Sequence, residues 1–220
     1  MLASSTRLTI EAYHKGYSNF PMDANQPMLF LIDEIYYRRD YGFNTEKLQS
    51  TGNAFSRGIE VMLQKKLARD FYGMISLAYF RTQYRGLDGT WHDRIFDNRI
   101  IFSIDGGYKP NERWEFSARW TYAGGRPYTP FDISASEEQQ RGILDITQIN
   151  QARYPAYHTL NLRLDRRFHF MRTNLVCFLS VMNAYNRHNV AEFFWNQVDN
   201  GQDIIYQWGM LPIVGFEYEF

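Results

Sequence analysis

Cysteine is all but missing from the chain. Cys177 stands alone, so no internal disulfide can form and no thiolate metal site can be assembled. Its expected role is that of a small apolar residue. There is no apolar run of about 18 residues, which excludes a spanning helix, and no basic-then-apolar start that would read as a secretory signal. Charge of one sign has no excess either: Lys+Arg and Asp+Glu are both 24, so the footprint of a nucleic-acid binder is lacking. His14, His92, His158, His169 and His188 are scattered, with none at the i, i+4 spacing of a helical metal pair. "DGG" (105–107) and "AGGR" (123–126) open no helix and make poor phosphate cradles.

What is abundant is aromatic. Phe, Tyr and Trp make up 17% of the 220 residues while hydrophobic residues overall reach 45%, so the excess lies in flat rings and not in aliphatic mass. About eight strands are expected, at 5–14, 55–67, 71–83, 99–109, 114–124, 157–168, 174–185 and 204–219, each near the ~9–11 residues that cross a bilayer at a tilt. Connections alternate in length. "ARD", "PNER" and "HFMRT" are tight hairpins, whereas 16–54 and 125–156 are long and rich in turn residues. Short turns on one rim and long loops on the other match an outer-membrane barrel.

Within strands, side chains alternate. Trp114, Phe116, Ala118, Trp120 and Tyr122 oppose Glu115, Ser117, Arg119 and Thr121; Ile100, Phe102, Ile104 and Tyr108 oppose Arg99, Ser103, Asp105 and Lys109. The same alternation occurs in soluble sandwiches and lipocalin-like barrels. Aromatic girdles favour the bilayer: Phe71, Tyr108, Trp114, Phe168, Tyr218 and Phe220 gather at the hairpin rim, and Tyr13, Tyr79 and Tyr122 at the other. Tyr72, Phe80, Phe178, Met62 and Met74 are expected to point inward. The fold expected is therefore all-β, an antiparallel meander of transmembrane strands, part of a larger outer-membrane β-barrel.

The segments "FDNRIIFSIDGGYK" (96–109), "WEFSARWTYAGGRPYTP" (114–130), "YPAYHTLNLRLDRRF" (154–168), "LSVMNAYNRHNV" (179–190) and "WGMLPIVGFEYEF" (208–220) together carry a resemblance. In this order they resemble the C-terminal part of the barrel of a TonB-dependent outer-membrane receptor. The most specific pieces are the strand into "GGRPYTP" and the N-x-Y-N-R-x-N pattern at Asn183, Tyr185, Asn186, Arg187 and Asn189. The resemblance implies a barrel of about 22 strands filled by an N-terminal plug. This chain, with neither plug, nor energy-coupling box, nor signal peptide, is expected to be a C-terminal segment, domain bounds 1–220.

The resemblance also implies a bacterial outer-membrane location and several partners. These are outer-membrane lipid, the barrel-assembly machinery, a TonB-type energy coupler acting through the plug, and an extracellular nutrient such as a metal chelate, a cofactor or an oligosaccharide. Gly215, Tyr218 and Phe220 match the C-terminal assembly signal, with Ile213 where a polar residue is expected. The alternative is a self-contained eight-stranded barrel serving as an adhesin, an anchor or a lipid-modifying enzyme.

No nucleophile, metal set or resident cofactor is expected, and the chain is not read as an enzyme. His92 and Asp93, and Ser134, Ser136, Glu137 and Glu138, read as solvated loop. Possible ligand contacts are the loop rings Trp91, Tyr128, Phe193, Phe194 and Trp195, with Arg119 and Arg163 lending charge from the polar wall.

Overall fold

Long alternating segments pair with their sequence neighbours through tight turns, and the result is one antiparallel meander. The computed structural model describes residues 5–33 and 48–220; the part of the expected 16–54 connection at 34–47 lies outside the described residues. The strands are β1 (Thr6–Asp23), β2 (Leu48–Ala68), β3 (Phe71–Arg85), β4 (Trp91–Asp93), β5 (Ile100–Asn111), β6 (Trp114–Ala123), β7 (Pro127–Tyr128), β8 (Ala152–Arg153), β9 (Tyr157–His169), β10 (Asn174–Met182), β11 (Val190–Asn196), β12 (Gly201–Tyr206) and β13 (Leu211–Glu219). The main sheet runs β1-β2-β3-β5-β6-β9-β10-β13, with β4 added beside β3. Arg69 and Asp70 take positive φ (49° and 71°) to turn β2 into β3, the left-handed pair that a tight hairpin needs.

Register sorts the two faces. Leu8, Leu63, Ile75, Ile104, Trp120 and Leu160 form one unbroken row across β1, β2, β3, β5, β6 and β9. The adjacent row on the other face reads Arg7, Gln64, Met74, Asp105, Arg119 and Asn161. Among the described residues no second layer covers the apolar rows: Ile10 is 64% exposed, Tyr79 62%, Val214 80% and Phe216 79%. A water-soluble monomer rarely shows more than a few hundred Å² of contiguous apolar surface, so these rows are built to meet lipid. The buried hydrophobic cluster of Met22, Phe30, Ala54 and Tyr84 lies at the long-loop rim and not under the sheet.

Aromatic–glycine contacts stiffen the polar face. The Tyr72 ring lies over Gly107 and the Phe178 ring over Gly215, its direct partner across the β10–β13 ladder; a Cβ on either glycine would overlap the ring. Glu115 accepts a 2.6 Å hydrogen bond from the Tyr72 hydroxyl and pairs with Arg167 at 2.8 Å, while Arg163 pairs with Asp165 at 2.6 Å.

Several expectations are corrected. The final strand expected at 204–219 is divided: β12 pairs with β11 in a separate hairpin and β13 alone joins the sheet. β1 and β2 reach into the expected 16–54 connection, because Phe20, Pro21 and Met22 keep pairing past a bulge at Tyr17. Tyr13 shares the face of Glu11 and lies over Gly58, so it does not belong to the bilayer-facing girdle. The sheet also stays open. β1 and β13 are its edges and do not pair, so the described residues do not form a self-contained eight-stranded barrel. The 125–156 connection holds a short helix, Ile133–Gln139, capped by Asp132, and among the described residues no helix is long and apolar enough to cross a membrane.

Candidate functional site

The long-loop rim is where distant parts of the chain converge. Phe30 stacks on Tyr84 at 4.8 Å, the Tyr84 hydroxyl donates to the Met28 carbonyl at 2.6 Å, and Arg94 lies over Phe30 while forking onto the buried Asp33. These contacts fasten the segment after β1 against the β3–β5 connection. The cation over the ring and the two-pronged Arg–carboxylate bond each add direction to what burial alone would leave loose.

Beside them sits a charged knot. Asp97 is fully buried and accepts from the Thr82 backbone N–H at 2.8 Å, from Arg99 Nε at 2.6 Å and from Arg153 Nη2 at 2.7 Å. Asp93 accepts from Gln83 (2.8 Å), Arg99 (2.7 Å) and Arg153 (2.8 Å). Burial pushes the Asp93 carboxyl up, but hydrogen bonds from Arg99, Gln83 and Arg153 outweigh it and hold the group below the usual carboxylate range. Arg99 itself has φ 65°, a conformation that a side chain rarely adopts and that the two aspartates hold in place. Asp93, and His92, which is buried and bonded to Asp88 at 3.0 Å, are therefore not the solvated loop expected of them; of the knot as a whole the sequence shows only the alternating charge of "DRIFDNR" (93–99).

The expected ligand contacts separate into groups. Tyr128 and Phe193 come together with Tyr154, at centroid distances of 4.5 Å (Tyr128–Tyr154), 5.1 Å (Tyr128–Phe193) and 5.0 Å (Tyr154–Phe193). The Arg126 guanidinium covers the Tyr154 ring, and a cavity of about 90 Å³ opens beside this cluster. Burial pushes the Tyr128 phenol up. Trp195 packs edge-on against Phe131 and donates to Asn200 at 3.3 Å, so it braces the β11–β12 hairpin. Phe194 points to the opposite side of β11 from Phe193 and Trp195. Trp91 stands apart, 44% exposed, against Phe55 of β2. Arg119 and Arg163 lie on the polar wall, but each is paired, with Asp105 and Asp165 respectively.

The asparagine-rich pattern closes the link from β10 to β11. Asn183 and Asn186 take positive φ (51° and 54°), where asparagine is tolerated. The Asn183 carboxamide accepts from Arg187 N at 3.0 Å and donates to the Arg187 carbonyl at 2.8 Å; Asn189 bonds both backbone groups of His158; Asn186 accepts from Met210 N at 2.8 Å. The pattern thus ties β9, β10 and the approach to β13 together. Tyr218 and Phe220 extend the exposed outer row at the hairpin rim, next to Leu175 and Phe168 in register. Ser136 is buried and bonds Ile143, and among the described residues no group of His, Cys, Asp or Glu is arranged to hold a metal ion.

A family model, "TonB dependent receptor-like, beta-barrel", matches residues 2–185. Solved structures with a similar fold include the ferric-catecholate import receptor Fiu from E. coli K12 (TM-score 0.61, 11% identity, 99% of this chain, 26% of that one). The ferric yersiniabactin uptake receptor FyuA from Yersinia pestis (0.60, 14% identity, 98% and 27%) and the ferric citrate transporter FecA (0.65, 14% identity, 98% and 29%) are also similar. The chain spans about a quarter of the length of these structures. No curated protein matches the chain in sequence.

Proposed function

Because the chain belongs to the TonB dependent receptor-like β-barrel family, we propose that it forms part of the wall of an outer-membrane transporter that imports a large nutrient, a metal chelate foremost. The observation that carries this reading is the division of the sheet into uncovered apolar rows and a charge-paired polar face, which suits a wall between lipid and a wet lumen. Fiu, FyuA and FecA, similar in fold, are a ferric-catecholate import receptor, a ferric yersiniabactin uptake receptor and a ferric citrate transporter, and they supply the ligand class. The chain's own part is positional: strands set a rigid wall, the charged knot fixes the loops above it, and the Tyr128–Tyr154–Phe193 cluster offers rings to a bulky ligand. No bond-making chemistry is needed. Gly215, Tyr218 and Phe220 would engage the assembly machinery, and energy would arrive from a TonB-type coupler through a plug domain.

The test is a receptor-deletion strain carrying the full-length receptor, grown with iron supplied only as ferric citrate or a ferric catecholate. Uptake should depend on both the receptor and the energy coupler. Tyr128→Ala with Phe193→Ala should lower it several-fold, while Trp91→Ala should change it little. Coupler-independent uptake, or none of any chelate, would discard the importer reading.

A further inference from the structure

On the apolar face, one cross-strand row is hollow. It reads Thr6, Lys65, Gly73, Gly106, Ala118 and Leu162, while the rows on either side carry Ile75, Ile104 and Trp120 above and Phe71, Tyr108 and Phe116 below. The small residues are the floor of two adjoining hollows of about 600 and 530 Å³ that share Phe71, Gly106 and Ala118. Gly106 is not required by the chain's own packing. A Cβ there would meet nothing closer than the Tyr72 backbone oxygen at 3.5 Å, and its φ is not in the left-handed region. A larger side chain fits, yet the space is left open.

The groove has a direction. At β2 it ends on Lys65, close to the β2–β3 turn at Arg69 and Asp70 and so at the hairpin rim. At β9 it ends on Leu162, well inside a strand that runs to His169. Because rows lie perpendicular to tilted strands, the groove climbs obliquely from the interface into the hydrocarbon, over four strand spacings of ~4.8 Å. Lys65 is exposed and has no acidic partner among the described residues. Another outward cation at this rim, Arg166, lies 4.4 Å over the Trp114 ring. An ammonium at the mouth of an oblique apolar trough complements one kind of molecule, an anion carrying a long hydrocarbon tail.

We propose that this groove is a binding site for an anionic glycerophospholipid of the leaflet at the hairpin rim, one acyl chain lying over Gly73, Gly106 and Ala118 and the phosphate at Lys65. The site rests on the reading that this face meets a bilayer. It adds lipid selectivity to what would otherwise be a uniformly wetted wall, and it anchors the tilt of β2 and β3 at the interface.

The probe is phosphatidylglycerol, with phosphatidylethanolamine for comparison, retained on the full-length receptor and counted by native mass spectrometry. Wild type should keep phosphatidylglycerol in preference. Lys65→Gln should lower that preference about five-fold, the effect of one interfacial cation, and Gly106→Leu should abolish retention of either lipid with unchanged heat-modified gel mobility. Equal retention in all three proteins overturns the site. Loss on Gly106→Leu with no effect of Lys65→Gln overturns the anionic assignment, and a dimer that Gly106→Leu dissolves assigns the groove to a second copy. A receptor that stays monomeric in plain buffer would instead overturn the membrane reading itself.

Discussion

Asp97→Ala should loosen the long-loop rim, with the end of β3 and the short β4 that border it, without touching the rest of the sheet. The side chain is fully buried and serves the Thr82 N–H, Arg99 and Arg153 together. Removing it leaves a buried N–H unpaired, about 1–3 kcal/mol, and strips a carboxylate from guanidinium groups that would otherwise be worth about 3–5 kcal/mol in a sealed pair. Arg99 and Arg153 are 39% and 31% exposed, so water recovers part of that, and Asp93 still holds both. The net expectation is about 3 kcal/mol, or roughly a hundred-fold larger open population of 82–99. Amide hydrogen exchange on the full-length receptor in micelles reads this directly. Protection in 82–99 should fall by about that factor while β5 and β6 keep theirs. The comparison is Asp105→Asn, whose partner Arg119 is 63% exposed on the polar wall, and where the change should stay within about five-fold. A hundred-fold loss at both sites, or at neither, would refute the claim that burial sets the strength of these pairs.

Gly215→Ala should lower barrel yield by crowding Phe178, and adding Phe178→Leu should restore it; no restoration would leave the glycine to the assembly machinery alone. Asn183→Ala gives up the paired bonds with Arg187 and a tolerated left-handed φ, and should cost about 1–3 kcal/mol, read as faster proteolysis between β10 and β11. The depressed Asp93 carboxyl gives the knot an acid limit. A lowered folded pKa stabilises above the unfolded value of ~3.9 and is lost as pH falls through the folded value, so loop protection should be flat from pH 7 to ~4.5 and collapse below ~4. Collapse near pH 6 would point to a histidine instead.

The wall was legible because it obeys a period. In β5 and β6 each outward ring sits opposite another outward apolar residue, Phe102 with Tyr122 and Ile104 with Trp120, so the alternation in one strand repeats the decision made in the next. Tight hairpins were equally plain, since Asp70 and Asn111 are turn residues between well-formed runs. The division of 204–219 was hidden because "IIYQWGMLPIV" is apolar almost throughout; Gly209, packed against the Asn186 carboxamide, is where the chain leaves one hairpin for the sheet. Tyr13 was assigned by residue type, whereas parity with Glu11 decides its face. The charged knot was illegible for a different reason. Arg153 reaches Asp97 across 56 residues, and no local rule pairs charges at that separation.

The central claim is that the rows ending in Leu160 and Val214 face hydrocarbon. It is tested most directly by thiol accessibility of the full-length receptor in native outer membranes, in a Cys177→Ser background. Cysteine at Ile104, Phe116 and Leu162 should react with a lipid-dissolved maleimide and resist a membrane-impermeant one, while cysteine at Ser103, Ser117 and Asn161 should do the reverse. Impermeant reagent reaching the first set as fast as the second would contradict it.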